Sequence, residues 1–569
     1  MLLVLQRVAP ETCVFLLCPS VLSIKVRFSR ASHIKKLSDL NRLFRALSAE
    51  DAVYKWETLF PYVLQSVPRR SVGVFKGLFI DCGATEPSVI NGLRYLPDAS
   101  FVSTGTPKIL SNQSLFPTLS TLRSFPLDRH SKFCYVVPVY RSGKYLVRTT
   151  YFYGAVNGLD TLPPVFDLIV DGTFWAVVNT TEDYVRGLSR YYEAVFLAKG
   201  RTMSICVAKN KLTDSDMFIS TLELVLLEDS VYNSTNFEKY GLGVVARNSF
   251  GNQGPSLRFP DDPFDRYWEP FHASNLTPTT NRGNISSSGF WNLPPSKVFG
   301  AALTTDLPKP LELHWPPMSL LNSSYYIALY FANHPDSLSD DSRVLNVYIN
   351  GIPYYKNVNV TQSGVVVFAT QWPLSGPTKL VLTPADGSHM APLINAGEVL
   401  NILVLGGRTV TRDVIALEKL KKSLQNLPLD WNGDPCHPQG YSWTGVICSD
   451  GPNSRVVALN LSNMRVSGLL SPSIANLTAL TDIILGRNNL TGPIPDLSKL
   501  GRLERLHLQD NGFTGEIPSS IAVIDTLHEL FVQNNNLTGQ VPRSLLTKPG
   551  LFLQTSPGNN FTRLSNTLS

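Results

Sequence analysis

The sequence predicts a mostly β chain: two tandem β-sandwiches followed by a short solenoid of repeats. Three observations predict it. From Gly77 to about Leu405, short alternating apolar runs and turn signals follow one another without a long amphipathic helix. Within that stretch one pattern occurs twice. Beyond it, leucines and glycines return every 23 or 24 residues.

At 569 residues the chain is too long for one core, and 43% hydrophobic with 17% charged residues is ordinary globular composition. The formal charge of +6 is localised: residues 1–76 hold 12 Lys/Arg against 5 Asp/Glu, and the remainder holds 38 against 39. A basic leader on a neutral body is no footprint for a phosphate backbone, so nucleic acid is not an expected partner. No stretch approaches ~20 uninterrupted apolar residues, so no transmembrane span is expected in this chain.

Residues 1–76 read as an irregular or targeting leader. Met1–Arg7 has the character of a signal n-region and Val14–Ile24 that of an apolar core, but Arg7, Pro10 and Glu11 interrupt it. Ile34, Leu37, Leu40, Leu43 and Leu47 are spaced as in a helix among basic residues. This fits an organellar transit helix or a mispredicted start to the gene, of which the second suits the rest of the chain. Twelve Asn-X-Ser/Thr sequons point to the secretory lumen: Asn112, Asn179, Asn233, Asn275, Asn284, Asn322, Asn359, Asn460, Asn476, Asn489, Asn536 and Asn560.

The duplication lies in three matched pieces. Lys144–Gly154 reappears as Ser324–Asn333, Phe166–Gly172 as Leu345–Gly351, and Phe218–Leu224 as Leu393–Val399, at offsets of 180, 179 and 175. Asp171-Gly172 and Asn350-Gly351 between apolar alternations are hairpin signals. The first sandwich is expected over 77–255 and the second over 256–408, with the turn-rich Arg258–Trp268 segment as the seam. Ile80-Asp-Cys-Gly83, Thr121–Pro126, Cys134-Tyr135, Tyr145-Leu-Val-Arg148, Phe218-Ile-Ser220, Phe259–Arg266 and Pro392–Ala396 resemble the plant malectin-like domain. That resemblance implies a tandem of jelly-roll β-sandwiches, similar to an animal endoplasmic-reticulum lectin that binds a diglucose.

Val414, Leu417, Leu420, Leu424 and Leu427 form the stripe of a connecting helix placed over 409–430. Trp431–Cys436 and Trp443–Cys448 follow, within a segment bounded at 431–455. Zinc would need another pair of ligands beside His437, so Cys436 and Cys448 read as a disulfide. Among the other cysteines, Cys134 and Cys206 are the favoured pair because both lie on expected strands, leaving Cys82 reduced, although three cysteines allow three pairings. Four repeats are expected over 456–550, with a tail at 551–569. Leu461, Leu485, Leu508 and Val532 recur in step with Gly468, Gly492, Gly515 and Gly539. Asn488, Asn511 and Asn535 are placed to form a ladder that Met464 interrupts in the first repeat. The unit resembles the plant extracellular leucine-rich repeat, and the Trp/Cys segment its N-terminal cap. Together the two resemblances imply the ectodomain of a plant receptor-like protein or receptor-like kinase.

The sequence offers no catalytic constellation, cofactor motif or metal-binding spacing, and none of the signature motifs of a kinase. Asp261, Asp262 and Asp265 read as turn and cap residues, and Asp336, Asp340 and Asp341 as a solvated loop. An enzyme is therefore not expected, nor are cofactors or metals. Sugar binding is the first functional reading. Tyr151, Phe152 and Tyr153 end a strand at Gly154, where a ring at a loop mouth would cover the apolar face of a pyranose. The lectin resemblance puts the aromatic role on these three and the carboxylate role on Asp214 or Asp216, with Trp175, Tyr191 and Tyr192 extending the platform. The second reading is a peptide ligand or co-receptor on the concave repeat face, at Arg487, His507, Gln509, Asp510, Phe531, Gln533 and Asn534. A structural wall protein is the third. The expected setting is secreted or on the extracellular face of the plasma membrane, with the endoplasmic-reticulum lumen as the alternative and a cell-wall oligosaccharide as the sugar partner.

Overall fold

In the computed structural model of the chain, Asp171-Gly172 and Asn350-Gly351 each turn a hairpin, with positive φ at both residues (45° and 78°, 50° and 77°). The structure describes residues 77–562 apart from 111–115, 128–131, 159–160, 281–284, 307 and 334–342. It also describes the backbone of three strands, Leu3–Ala9, Thr12–Leu17 and Leu22–Arg27, an antiparallel meander in the separate unit Met1–Val74. The apolar run Val14–Ile24 falls across the second and third of these strands. The helical spacing over 34–47 and the acidic loop at Asp336, Asp340 and Asp341 lie outside the described residues.

The hairpins belong to two sandwiches of one design. The inner sheet of the first runs Arg190–Leu197, Lys144–Tyr151, Thr221–Leu226, Gly77–Asp81, and that of the second runs Val365–Gly376, Leu320–Phe331, Ala396–Val404, Tyr240–Phe250. The outer sheets correspond as well: Thr173–Val178, Phe166–Val170, Thr202–Lys209, Lys132–Pro138 against Ile352–Val360, Arg343–Ile349, Lys379–Pro384, Leu311–His314. The three matched sequence pieces fall at equivalent places, as a duplication requires. Strand pairing puts Tyr240–Phe250 beside Ala396–Val404 of the second copy, in the position Gly77–Asp81 holds beside Thr221–Leu226 in the first.

The copies are joined edge to edge. Arg190–Leu197 pairs with Tyr240–Phe250 at Ala194↔Gly243 and Val195↔Leu242, making the inner sheets one eleven-stranded sheet. The outer sheets stay separate. One face of the long sheet packs against the outer sheets, and the Arg258–Trp268 segment lies across the other.

That second face carries paired charges with almost no solvent. Arg148 reaches Glu193 and Glu223 at 2.6 Å each and Asp265 at 3.1 Å. Arg247 bridges Glu193 and Glu398, meeting the latter at 2.7 Å. Tyr330 donates to Glu398 at 2.7 Å and Tyr95 to Glu223 at 2.9 Å. Asp262 accepts from Arg266 and from the Trp268 indole, both at 2.8 Å. Burial alone would raise the Glu193 and Glu398 carboxyls, but the guanidinium groups, Arg247 foremost, hold both below the usual carboxylate range. Asp262 and Asp265 do cap turns, accepting from the Phe264 and Phe259 N–H groups, yet both are buried and carry the seam's ion pairs.

A helix, Thr411–Ser423, leads to the repeats, burying Ala416, Leu417 and Leu420. Its first turn is tied to them by Asp413, which accepts from Arg455 at 2.8 Å and from the Val456 N–H at 3.0 Å. Trp431 and Trp443 stack at 5.0 Å in the cap beside the Cys436–Cys448 bond. Cys134 and Cys206 are also bonded, and Cys82 is reduced and buried. Each ladder asparagine donates to carbonyls of its own and the preceding turn, as Asn511 does to Leu508 and Leu485, while its oxygen takes an N–H of the preceding turn. Asn559 forms a further rung, and Phe552–Gln554 adds a strand to the concave sheet. The segment expected to be a tail from 551 therefore continues the stack.

Glu193 serves two buried arginines, so Glu193→Gln should destabilise the sandwiches by at least ~3 kcal/mol in chemical denaturation. The exposed Lys379–Glu312 pair is the control, and Glu312→Gln should cost under ~1 kcal/mol. Equal effects would show that the buried network contributes no more than a surface pair.

Candidate functional site

The Ala194↔Gly243 and Val195↔Leu242 pairing covers only two residues of each strand. Toward Arg190 and Asn248 the strands instead line a cleft of about 1440 Å³, on the face where the outer sheets leave a gap. One wall is Thr173–Val178, the outermost strand of its sheet. The other is the Pro317–Leu321 approach to the second sandwich's inner sheet. Asn401–Val404 and Gly243–Asn248 contribute the floor, and His437–Gln439 of the repeat cap closes one end.

The lining is unusually apolar for a surface. Phe174 (45% exposed), Val177 (46%), Met318 (47%), Leu321 (80%) and Val404 (74%) all face it. Its charged groups are engaged. Arg190 pairs with Asp183, Glu269 accepts from Tyr191 at 3.2 Å, and Glu193 and Arg247 are held in the seam network.

The cap is fixed to the first sandwich's outer sheet. Lys132, buried, donates to the carbonyls of Asp434 at 2.6 Å and His437 at 3.1 Å. Tyr441 donates to Asp167 at 2.5 Å. Gly433 lies against the Cys134–Cys206 bond; a Cβ there would sit 2.8 Å from a sulfur, at a φ of +68°. His437 packs against Gly407 and meets Ser454 through Nε2 at 2.9 Å, and burial holds its imidazole below the ordinary pKa.

The structure divides the residues expected to hold a sugar. Tyr151 and Tyr153 are core and not rim: Tyr151 contacts Phe166, Tyr192 and Phe218, and Tyr153 contacts Tyr184 and Phe218. Tyr151 ends an inner strand covered on both faces, and Tyr153, two residues past its end, turns into the same core, so neither ring meets solvent. Phe152 is half-buried, and Trp175 turns its indole inward against Phe196. Trp175, Tyr191 and Tyr192 line the cleft. Asp214 and Asp216 lie on another loop, where Asp216 accepts from the Leu127 N–H at 2.8 Å.

On the concave repeat face, parallel pairing stacks Ile484, His507, Phe531 and Gln554 in one row. His507 and Phe531 stack at 4.2 Å, and Phe552 meets Phe531 edge-on at 5.5 Å. Arg487, Asp510 and Asn534 stand at the left-handed turn after each strand, with φ of 59°, 55° and 53°. Gln509 and Gln533 flank them. Sequence reasoning missed Asp482, Arg505 and Glu529, whose row is bound by the Arg505–Asp482 pair, with Glu529 meeting His507 at 2.7 Å. The available signal was their place one residue ahead of the buried Ile483, Leu506 and Leu530, at steps of 23 and 24. Among the described residues no His/Cys/Asp/Glu group is arranged to hold a metal, and no helix is long and apolar enough to cross a membrane.

The malectin-like domain family matches residues 80–402, the leucine rich repeat N-terminal domain 410–449, and the leucine rich repeat 502–523. A probable leucine-rich repeat receptor-like serine/threonine-protein kinase of Arabidopsis thaliana is 32% identical over 495 residues, covering 82% of this chain and 50% of the relative. The chain spans about half the length of the curated relatives it matches. Solved structures similar to it include the ANX2 ectodomain from Arabidopsis thaliana (15% identity, 57% of this chain and 97% of that one, TM-score 0.49). Another is the peptide RALF23 in complex with FER and LLG2 (18% identity, 57% and 95%, TM-score 0.47).

Burial pushes the Lys132 amine from its ordinary 10.5 down to about 8, an effect that Asp434 and Asp430 only partly offset. A pKa lower in the folded state means the cost of burying the charge is full below pH 8 and is relieved as pH rises toward 10.5. Lys132→Met should therefore flatten the stability profile of the cap–sandwich contact between pH 8 and 10, measured by hydrogen exchange of the Cys436–Tyr441 amides. An unchanged slope would count against a charged, buried Lys132.

Proposed function

The chain belongs to the malectin-like domain family, and on that premise we propose that it is the ligand-binding ectodomain of a plant receptor-type protein, working outside the cell. Its ligand is a protein or peptide segment taken into the cleft between the sandwiches and the repeat cap. The concave repeat face, with His507, Phe531 and Phe552, gives a second and smaller contact for a co-receptor or for another part of the ligand. One observation carries the reading: five large apolar side chains are exposed in one cleft, and none of the ten sequon asparagines among the described residues lines it, although Asn322 follows Leu321 and Asn179 donates its N–H to Tyr192 at the border. Apolar area of this kind gains free energy when an apolar partner excludes water from it.

A glycan at the same cleft is the second reading. It is favoured by Tyr191 and Tyr192 lying among the lining beside Asp183 and Glu269, and disfavoured by the burial of Tyr151 and Tyr153.

Peptides selected by display against the secreted chain should lose at least tenfold in affinity on Met318→Glu/Val404→Glu, with the unfolding midpoint unchanged. If glycan-array binding is found instead, and Tyr191→Ala abolishes it while no peptide responds to the cleft variant, the peptide reading is overturned in favour of the sugar.

A further inference from the structure

The duplicated fold supplies its own control for one feature of the cleft. Thr173–Val178 and Ile352–Val360 are the same strand in the two copies, each at the end of its outer sheet. An edge strand exposes unpaired backbone groups, and proteins ordinarily guard it with proline or charge. The second copy's edge has both, in Pro353 and Lys356. The first copy's edge, Thr-Phe-Trp-Ala-Val-Val, has neither, and it exposes Phe174 and Val177; each edge has a sequon at its end, Asn179 and Asn359. It is also the edge that borders the cleft.

The register states which groups are free to pair. In an antiparallel ladder, successive residues direct their N–H and C=O alternately to one neighbour and the other. Asp171 donates to the Ser204 carbonyl, so Asp167 and Ile169 also face the Thr202–Lys209 strand. Their partners on the edge strand are Val177 and Phe174, whose N–H and C=O therefore point outward. The extra residue of the bulge between them, Trp175, turns its ring into the core against Phe196. The bulge thus costs the edge one pair without closing it.

We propose that the ligand segment binds as an added β-strand on the Thr173–Val178 edge, an extended peptide whose backbone pairs with Phe174 and Val177. Its β-branched or aromatic side chains lie beside theirs, where cross-strand pairs of these types are favourable. The occupant is a strand because the open edge offers hydrogen-bond donors and acceptors at strand spacing, which a helix cannot satisfy. It is uncharged over this stretch because the charged groups of the cleft are already paired. This rests on the peptide reading of the cleft.

The test uses the display-selected peptide with the secreted chain. Val177→Pro removes one outward N–H that the strand's own sheet does not use, a change edge strands tolerate. It should weaken the peptide at least tenfold with the unfolding midpoint kept, and Phe174→Lys, which places on this edge a lysine like the one guarding the second copy's, should do the same. N-methylation along the peptide should abolish binding at alternate residues and spare those between. If Val177→Pro fails to fold, Phe174→Lys and the methylation scan decide alone. Should Met318→Glu/Val404→Glu destroy binding while these changes and the scan are neutral, strand addition is wrong and the cleft reading stands. Peptides indifferent to every cleft variant would overturn both. Self-association of the chain that Val177→Pro relieves would replace the peptide with a second copy.

Discussion

Joining two sandwiches through one sheet creates a stretch of backbone covered on both faces, and everything placed there must be apolar or fully matched. This chain places charges there. Arg148 and Arg247 share Glu193, while Glu223 and Glu398, which the duplication makes equivalent, each take one arginine. Such a set gains little net stability over a greasy seam, since removing ions from water costs several kcal/mol each. Its effect is on geometry: only one relative placement of the copies gives every guanidinium its carboxylates and every tyrosine hydroxyl its acceptor. The cleft on the opposite face inherits that fixed spacing, because its floor strands carry Glu193 and Arg247 themselves.

The duplication and the repeats were legible in the sequence because both are statements about period and order, which survive without coordinates. So were the Cys436–Cys448 bond and the hairpin turns, where spacing or φ leaves few choices, whereas Cys134–Cys206 was one of three pairings the sequence allowed. What the aromatic residues do was not legible. Tyr151 and Tyr153 alternate as rim residues would, but alternation cannot show that a strand is covered on both sides. The Arg258–Trp268 segment read as a turn-rich seam, which it is, although the burial of Asp262 and Asp265 depends on arginines up to 117 positions away. The cleft left no trace in any window, since Phe174, the Met318–Leu321 stretch and Val404 come from three separate segments. Asn559 was legible and overlooked: it stands one repeat step beyond Asn535.

The repeat stack is held to the sandwiches by contacts that leave it little freedom. Asp434 binds Thr409 and the Cys436 and His437 N–H groups, and so fixes the loop whose carbonyls hold Lys132. The cap disulfide is part of the core that the Thr411–Ser423 helix closes. The cap wall of the cleft and the concave face are thus carried by one stack anchored to the first sandwich, so a ligand long enough to touch both would meet them at a set separation.

Beside the concave sheet the stack has a second one, Leu424–Gln425, Ser467–Leu469, Asn489–Pro493, Gly512–Gly515 and Asn536–Leu537, with a consequence of its own. Asn489, Asn536 and Asn560 occupy equivalent positions in successive turns, all exposed, with Gly512 in the one place where the series skips; Asn560 donates to Asn536 at 2.7 Å. Glycosylated there, this flank would carry a polymer brush whose excluded volume sweeps it clear of other macromolecules, while the sequon Asn460, in the row of Ile484, His507 and Phe531, would shield the first turn of the concave sheet. Approach to the later repeats would then be one-sided for purely steric reasons. Any complex built on the concave face would be assembled with the sugar-bearing flank turned toward bulk solvent.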